Sequence, residues 1–251
     1  MILNQQQIKD MQEGGKILSA ILKELVTRVK SGMTTNDFDV LARERIKHHG
    51  VKPSFLGYNN FPAALCTSIN EEAVHAVPSM RILEEGDLFK IDIGIIHKGL
   101  HTDMAVTVIV GRRKFFNRAY SKKEELISAT RVALKAGIKM ACAGNTVGDI
   151  GQAIQDAVER KGFTIVRELG GHGIGSQLHE DPFIPNYRDG SYNDLLLSGM
   201  AIAIEPITSL GSGKISNNAD GHGYLIKDGS LSAHFEHTII ITDKAPIIVT
   251  E

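Results

Sequence analysis

The 251-residue chain has no tryptophan and only two cysteines, Cys66 and Cys142, which lie far apart and fit no CxxC pattern. Two isolated thiols read as reduced cysteines rather than a disulfide, and this predicts a cytoplasmic protein. No stretch approaches the roughly 18 apolar residues of a membrane span. Met1 to Asp10, with three glutamines, holds no apolar run of signal-peptide length. No sign of charge dominates. The formal net charge is -1, so there is no global basic field to recruit nucleic acid or an acidic membrane. Single-sign runs such as Arg112-Arg113-Lys114 are short, and this one reads as a solvated turn after Gly111. What remains is the balance of an ordinary globular protein, 42% apolar and 23% charged, with length for one large domain or two small ones.

The positive content begins with a repeat. Gly15 to Val29 carry apolar side chains at Leu18, Ile21, Leu22, Leu25, Val26 and Val29, the spacing of a helix with one buried face. Ser31-Gly32 stop it, and Thr34 or Thr35 caps a second helix running to about Gly50. The phrase from Gly32 to Phe38 aligns without a gap with Gly144 to Ile150, and both continue to a terminating glycine at the same offset, Gly50 and Gly162. Gly86 to Asp92 matches Gly199 to Glu205 in the same way: a glycine, strand residues, then a carboxylate six positions on. His75-Ala76-Val77-Pro78 and His179-Glu180-Asp181-Pro182 precede these two strands. Three matches in one order predict two copies of helix, helix, histidine loop and acid-bearing strand. The copies span roughly 1–112 and 113–251 within one domain, 1–251. Packed face to face about a pseudo-twofold axis, they bring Asp92 and Glu205 to one place.

Phe89, Ile91, Ile93 and Ile95 alternate with Lys90, Asp92 and Gly94, the period of a half-buried strand. Leu100 to Val110 reads as its partner across a tight connection near His97-Lys98-Gly99. A loop of even length puts Asp92 and Asp103 on the same face, opposite one another or one diagonal step apart, within roughly 4.5–8 Å. Like charges so placed repel. Such a pair can be solvated, share a proton or hold metal, and the hairpin alone favours solvation. The rest of the chain shifts that balance. Glu205 ends the apolar run Met200 to Ile204, where a lone glutamate is costly, and Glu236 stands just before another apolar strand. With the glycine-flanked His172 they make four carboxylates and one imidazole, a mostly oxygen set suited to Mn, Fe(II), Co or Zn. Two divalent ions nearly balance four carboxylate charges, which argues for a two-metal centre.

The loop Glu168-Leu169-Gly170-Gly171-His172-Gly173-Ile174-Gly175 does not fit GxGxxG, and no Lys-Ser/Thr pair follows it, so a nucleotide site has little support. Its glycines let the backbone turn sharply and bring an imidazole close to a metal. His75 and His179, each ahead of an acid-bearing strand, read as histidines facing the substrate, able to donate to a scissile carbonyl or its developing oxyanion.

These segments together resemble one family over essentially the whole chain. Asn70 to His75 with Pro78, Ile91-Asp92-Ile93 with Asp103, Gly171-His172-Gly173-Ile174-Gly175, His179-Glu180-Asp181-Pro182, Ile204-Glu205-Pro206 and Phe235-Glu236-His237-Thr238 look like the motif set of type I methionine aminopeptidase. The resemblance implies the "pita-bread" α/β fold, of α+β type: two pseudo-symmetric halves with a curved, mainly antiparallel sheet backed by helices. There is no long insertion between His179 and Glu205, as marks type II, and no zinc-finger extension, so the chain resembles the bacterial form. Carried over by motif, Asp92 chelates one metal, His172 and Glu205 hold the other, and Asp103 and Glu236 bridge them. Glu205 shuttles a proton to the leaving amine, while His179 and His75 stabilise the tetrahedral intermediate. The resemblance further implies a monovalent cation near the backbone of Asn70, Glu72 and Ser232. Its implied partners are the N-terminal peptide of nascent proteins and the ribosome, for a monomeric cytoplasmic enzyme. The departures lie in the methionine pocket. Tyr58, Phe61 and Cys66 stand where the family lines it, but Phe55 replaces a frequent Cys, Leu178 a frequent Phe, and His222 the usual tryptophan. The lost aromatic surface is expected to weaken methionine binding by about a kcal/mol. Two rivals are an X-Pro aminopeptidase or prolidase of the same fold, and a catalytically silent relative that binds peptide, RNA or ribosomes.

Overall fold

The computed structural model describes residues 1–111 and 118–251; the Arg112-Arg113-Lys114 run lies outside the described residues. Helix α1 spans Gln5–Arg28 and α2 spans Thr35–His48; α3 (Arg118–Met140) and α4 (Val147–Glu159) form the second pair. Helix α1 starts at Gln5, not at Gly15 as its apolar spacing suggested. The cause is a capping box: the Asn4 side chain accepts from the backbone of Gln6 and Gln7, and the Gln7 side chain returns to the Asn4 N–H. That signal is polar and local, and apolar periodicity does not register it. Among the described residues, no helix is long and apolar enough to cross a membrane.

The repeated phrase is repeated backbone geometry. Thr34 and Thr146 are both N-caps, each in a reciprocal capping box with the aspartate three residues on, Asp37 and Asp149, stabilising each helix by about 1 kcal/mol. Gly86 and Gly199, which open the two acid-bearing strands, have φ of 92° and 90°, a left-handed conformation that favours glycine.

The nine-stranded main sheet runs β1 (Lys52–Pro53), β4 (Leu88–His97), β5 (Leu100–Ile109), β14 (Glu236–Ile240), β9 (Ala201–Ile204), β7 (Gly171–Gly173), β8 (Glu180–Ile184), with β2 (Cys66–Ile69) beside β4 and β15 (Ile247–Ile248) beside β14. Two three-stranded sheets complete the fold, β13 (Ser232–His234), β10 (Ile207–Ser209), β6 (Thr164–Ile165) and β11 (Ile215–Asn217), β12 (Tyr224–Ile226), β3 (Glu72–Val74). The main-sheet pairings are antiparallel.

Strand alternation separates core from site. Phe89, Ile91, Ile93 and Ile95 of β4 pack on Leu18, Leu22 and Phe38 of α1 and α2. In the other half, Ile202, Ile204 and Ile239 pack on Leu126, Leu134, Ile150 and Ile154 of α3 and α4. Both helix pairs therefore back one face of the sheet, and the intervening residues, Asp92, Ala203 and Glu236 among them, project from the other.

Candidate metal centre

Sheet register assembles the predicted ligands. The β4–β5 hairpin turns on two residues, Lys98 (φ 50°) and Gly99 (φ 80°), both left-handed as a turn matched to sheet twist requires. Asp103 consequently faces Gly94, one diagonal step from Asp92 and on the same face. Ala105 pairs with Asp92 on one side and Glu236 on the other, and directly paired residues share a face. His237 pairs with Ile204, so Glu205, next in the chain, extends the row beside Glu236. Strand β7 joins β9 at Gly173 and Ile202, which brings His172 Nε2 to 3.7 Å from Glu205 Oε1. Asp103, His172 and Glu236 each offer a ligand atom within 4.8 Å of one another. All five predicted ligands are buried in one cluster.

The cluster is electrostatically unfinished without a cation. Burial, reinforced by the neighbouring acids, pushes the Asp92, Glu205 and Glu236 carboxyls well above the usual carboxylate range. Burial raises Asp103 to about 7 against the pull of the Met104 N–H. Among the described residues, the nitrogen bases within 4.0 Å of these acids are His172 and His234. Burial lowers both to about 3, so both are neutral near pH 7. Asp92 Oδ1 is buried with no hydrogen-bond partner. His172 Nδ1 lies 2.9 Å from Gly173 O. A carbonyl only accepts, so the proton sits on Nδ1 and the Nε2 lone pair faces the acids, as a metal ligand requires. The donor set fits divalent cations.

One prediction follows from these directions. A carboxyl with a raised pKa still holds its proton near neutrality, and a cation must displace that proton to bind. Divalent metal uptake at pH 6–7 is therefore expected to release protons, and affinity to rise as pH rises through this range. Titration calorimetry in buffers of different ionisation enthalpy measures it; uptake at pH 6 with no proton release would show the acids already ionised.

A cavity of about 410 Å³ opens on the cluster, and every residue predicted for the site lines it. Phe55, Phe61, Cys66 and Leu178 pack together as a buried apolar wall, with Cys66 set opposite Asp92 by the β2–β4 pairing. The Cys66 thiol is pushed up by burial, and both cysteines are free. His222 stands edge-on to Phe61, ring centroids 5.3 Å apart, on a loop held by the Asp220 carboxylate, which accepts from the Val77, His222 and Gly223 N–H groups. His75 has φ 61°, a left-handed conformation a histidine holds at a cost of about 1 kcal/mol. Burial drops His75 to about 4 and lowers His179. Tyr58, expected only to line the pocket, also hydrogen-bonds through its hydroxyl to His179 Nδ1 at 2.8 Å.

Three residues near the site escaped the sequence reading. Tyr224 lines the cavity, its ring 6.0 Å from that of His75. His234 is 1% exposed, with Nε2 3.4 Å from Glu205 Oε2 and neither ring nitrogen hydrogen-bonded. Lys90 is the third. Two of the three backbone groups expected near a monovalent cation accept from its ammonium, Asn70 O at 2.9 Å and Ser232 O at 3.0 Å, as does Ser232 Oγ at 3.0 Å; the third, Glu72 O, accepts from Ser232 Oγ. Burial draws that ammonium down to about 7, opposed by the Glu72 and Glu71 charges, while three oxygen acceptors favour the charged form. The signal for Lys90 was alternation, since it lies two residues before Asp92 on β4 and so on the same face; His234 ends β13, a different strand from the β14 that Glu236 begins, and carried no such signal.

The description of metallopeptidase family M24 matches residues 9–243. The chain is 40% identical to the methionine aminopeptidase of Aquifex aeolicus, over 100% of this chain and 98% of the relative. It superposes on the crystal structure of methionine aminopeptidase from Thermotoga maritima with a TM-score of 0.94 at 39% identity, covering 100% of this chain and 99% of the other. A prolidase from Pyrococcus furiosus shares the fold at 20% identity and TM-score 0.79, but this chain covers only 65% of it. The expected pita-bread architecture is therefore present, and the chain belongs to metallopeptidase family M24, within its methionine aminopeptidase group.

Proposed function

We propose that this chain removes the N-terminal methionine from nascent polypeptides, preferentially when the second residue is small, by hydrolysing the first peptide bond at a two-metal site. The observation that carries this reading is the placement of Asp92, Asp103, His172, Glu205 and Glu236 at one end of a cavity whose wall is apolar. Asp92, Asp103, His172, Glu205 and Glu236 would hold the ions, Asp92 from one side and His172 with Glu205 from the other. Two divalent ions bound there would supply Lewis acidity and activate a water at neutral pH. The protein's own residues do the rest. Glu205 accepts the proton of the attacking water and passes it to the leaving amine. With the Tyr58 hydroxyl donating to His179 Nδ1, the neutral imidazole keeps its proton on Nε2, where it donates to the scissile carbonyl oxygen; His75 donates to the same developing charge. Phe55, Phe61, Cys66, Leu178 and His222 take the methionine side chain. The two halves act as one catalytic domain, monomeric and cytoplasmic, the last supported by the two free thiols, and meet their substrates at the ribosome.

A peptide panel varying the first two residues, assayed with Mn or Co, tests this. Met-Ala-Ser is expected to be cleaved and Xaa-Pro peptides left intact. Cleavage of Xaa-Pro alone would favour prolidase chemistry, and cleavage of neither would favour a silent binding module.

A further inference from the structure

Lys90 is almost fully buried, with 1% of its surface exposed, and among the described residues no carboxylate lies within salt-bridge reach of it. Its three acceptors are neutral: two backbone carbonyls and one hydroxyl. A bare ammonium in such a place loses its hydration, and oxygen dipoles replace it, as they do around a dehydrated alkali ion. The acceptors come from opposite halves of the chain. Asn70 follows β2 directly, with φ 53°, and Ser232 opens β13. Around the ammonium the two segments are laced further: Ser232 N donates to Asn70 O at 3.0 Å, and Ser232 Oγ lies 3.0 Å from Asn70 O and 3.1 Å from Glu72 O. Lys90 and Asp92 are two residues apart on β4, so the junction lies one pleat repeat from Asp92.

We propose that Lys90 is a tethered monovalent cation: its ammonium fills an oxygen site that joins Asn70 of the first half to Ser232 of the second and makes the protein independent of free alkali ions. Lys90→Ala opens the same ring of oxygens to a free sodium or potassium ion, whereas Lys90→Met fills the space with an apolar chain and closes it.

The experiment compares wild type, Lys90→Ala, Lys90→Ser and Lys90→Met in choline, sodium and potassium chloride at one ionic strength, reading thermal unfolding without added divalent metal and peptide turnover with it. The wild type is expected to be unchanged by the choice of salt. Lys90→Ala and Lys90→Ser are expected to lose roughly tenfold in turnover in choline. In sodium or potassium they should regain most of it, with Tm rising by about 3 °C or more. Lys90→Met is expected to stay impaired in all three salts. A wild type that itself responds to sodium or potassium overturns the proposal, as does the absence of any salt response, including failure to fold in every salt, in both Lys90→Ala and Lys90→Ser. The unfolding readout needs no hydrolysis, so it holds or fails independently of the substrate assignment.

Discussion

Glu205→Gln is expected to lower turnover by about a hundredfold or more while leaving the fold intact, because it removes a proton carrier worth roughly 10² to 10⁴ in rate. The substitution is nearly isosteric, and the surroundings hold the position from several sides. Asn186 Nδ2 donates to the Glu205 carbonyl at 3.0 Å, and the residue follows directly on β9. Glutamine keeps an oxygen for a metal but cannot take a proton from water at neutral pH. Steady-state rates, read beside metal content, check the outcome. If the variant keeps its metal and turns over within about twofold of wild type, Glu205 does not carry the proton. If metal is lost in proportion to rate, its part is ligation alone.

His179→Ala is expected to cost about a hundredfold or more in turnover with little loss of metal, the size associated with one donor to a developing oxyanion. Its ring lies outside the five-ligand cluster but stands edge-on against His172, centroids 4.2 Å apart, and is fixed by Tyr58. Burial lowers its pKa, so the neutral ring, with one N–H, is the form at work near pH 7. Tyr58→Phe gives the graded control. It leaves the ring but frees its tautomer, and a smaller drop in kcat at unchanged metal content is expected. Collapse of metal occupancy in His179→Ala would make it a ligand and overturn the assignment.

The candidate ligands Asp92 and Asp103 could be placed from the sequence because both lie on strands of known period, β4 and β5. Asp92 and Asp103 could be placed on one face of a hairpin from the even turn length alone, and the structure has them one diagonal step apart. Glu205 was harder: only the matching phrases Gly86 to Asp92 and Gly199 to Glu205 indicated that it would face Asp92. The start of α1 was missed because its determinant is a two-residue hydrogen-bond exchange, Asn4 with Gln7. Lys90 was read as an ordinary outward residue of a half-buried strand. Its acceptor Ser232 is 142 residues away, and strand period states which way a side chain points, not what it meets. Tyr58 likewise had a legible place and an illegible partner.

Within the main sheet the two halves meet at a single seam, β5 against β14, where Ala105 pairs with Glu236. Asp92 and Asp103 lie on one side of that seam, and His172, Glu205 and Glu236 on the other. Each half thus carries part of the proposed ligand set, and neither part is a complete one. Closing the seam gathers four buried acids at the end of the cavity, so docking of the halves is opposed by their mutual repulsion and lost hydration. A cation that binds only the closed form lends its binding free energy to the closure. Folding of the chain and loading of the proposed site are then linked equilibria, each favouring the other.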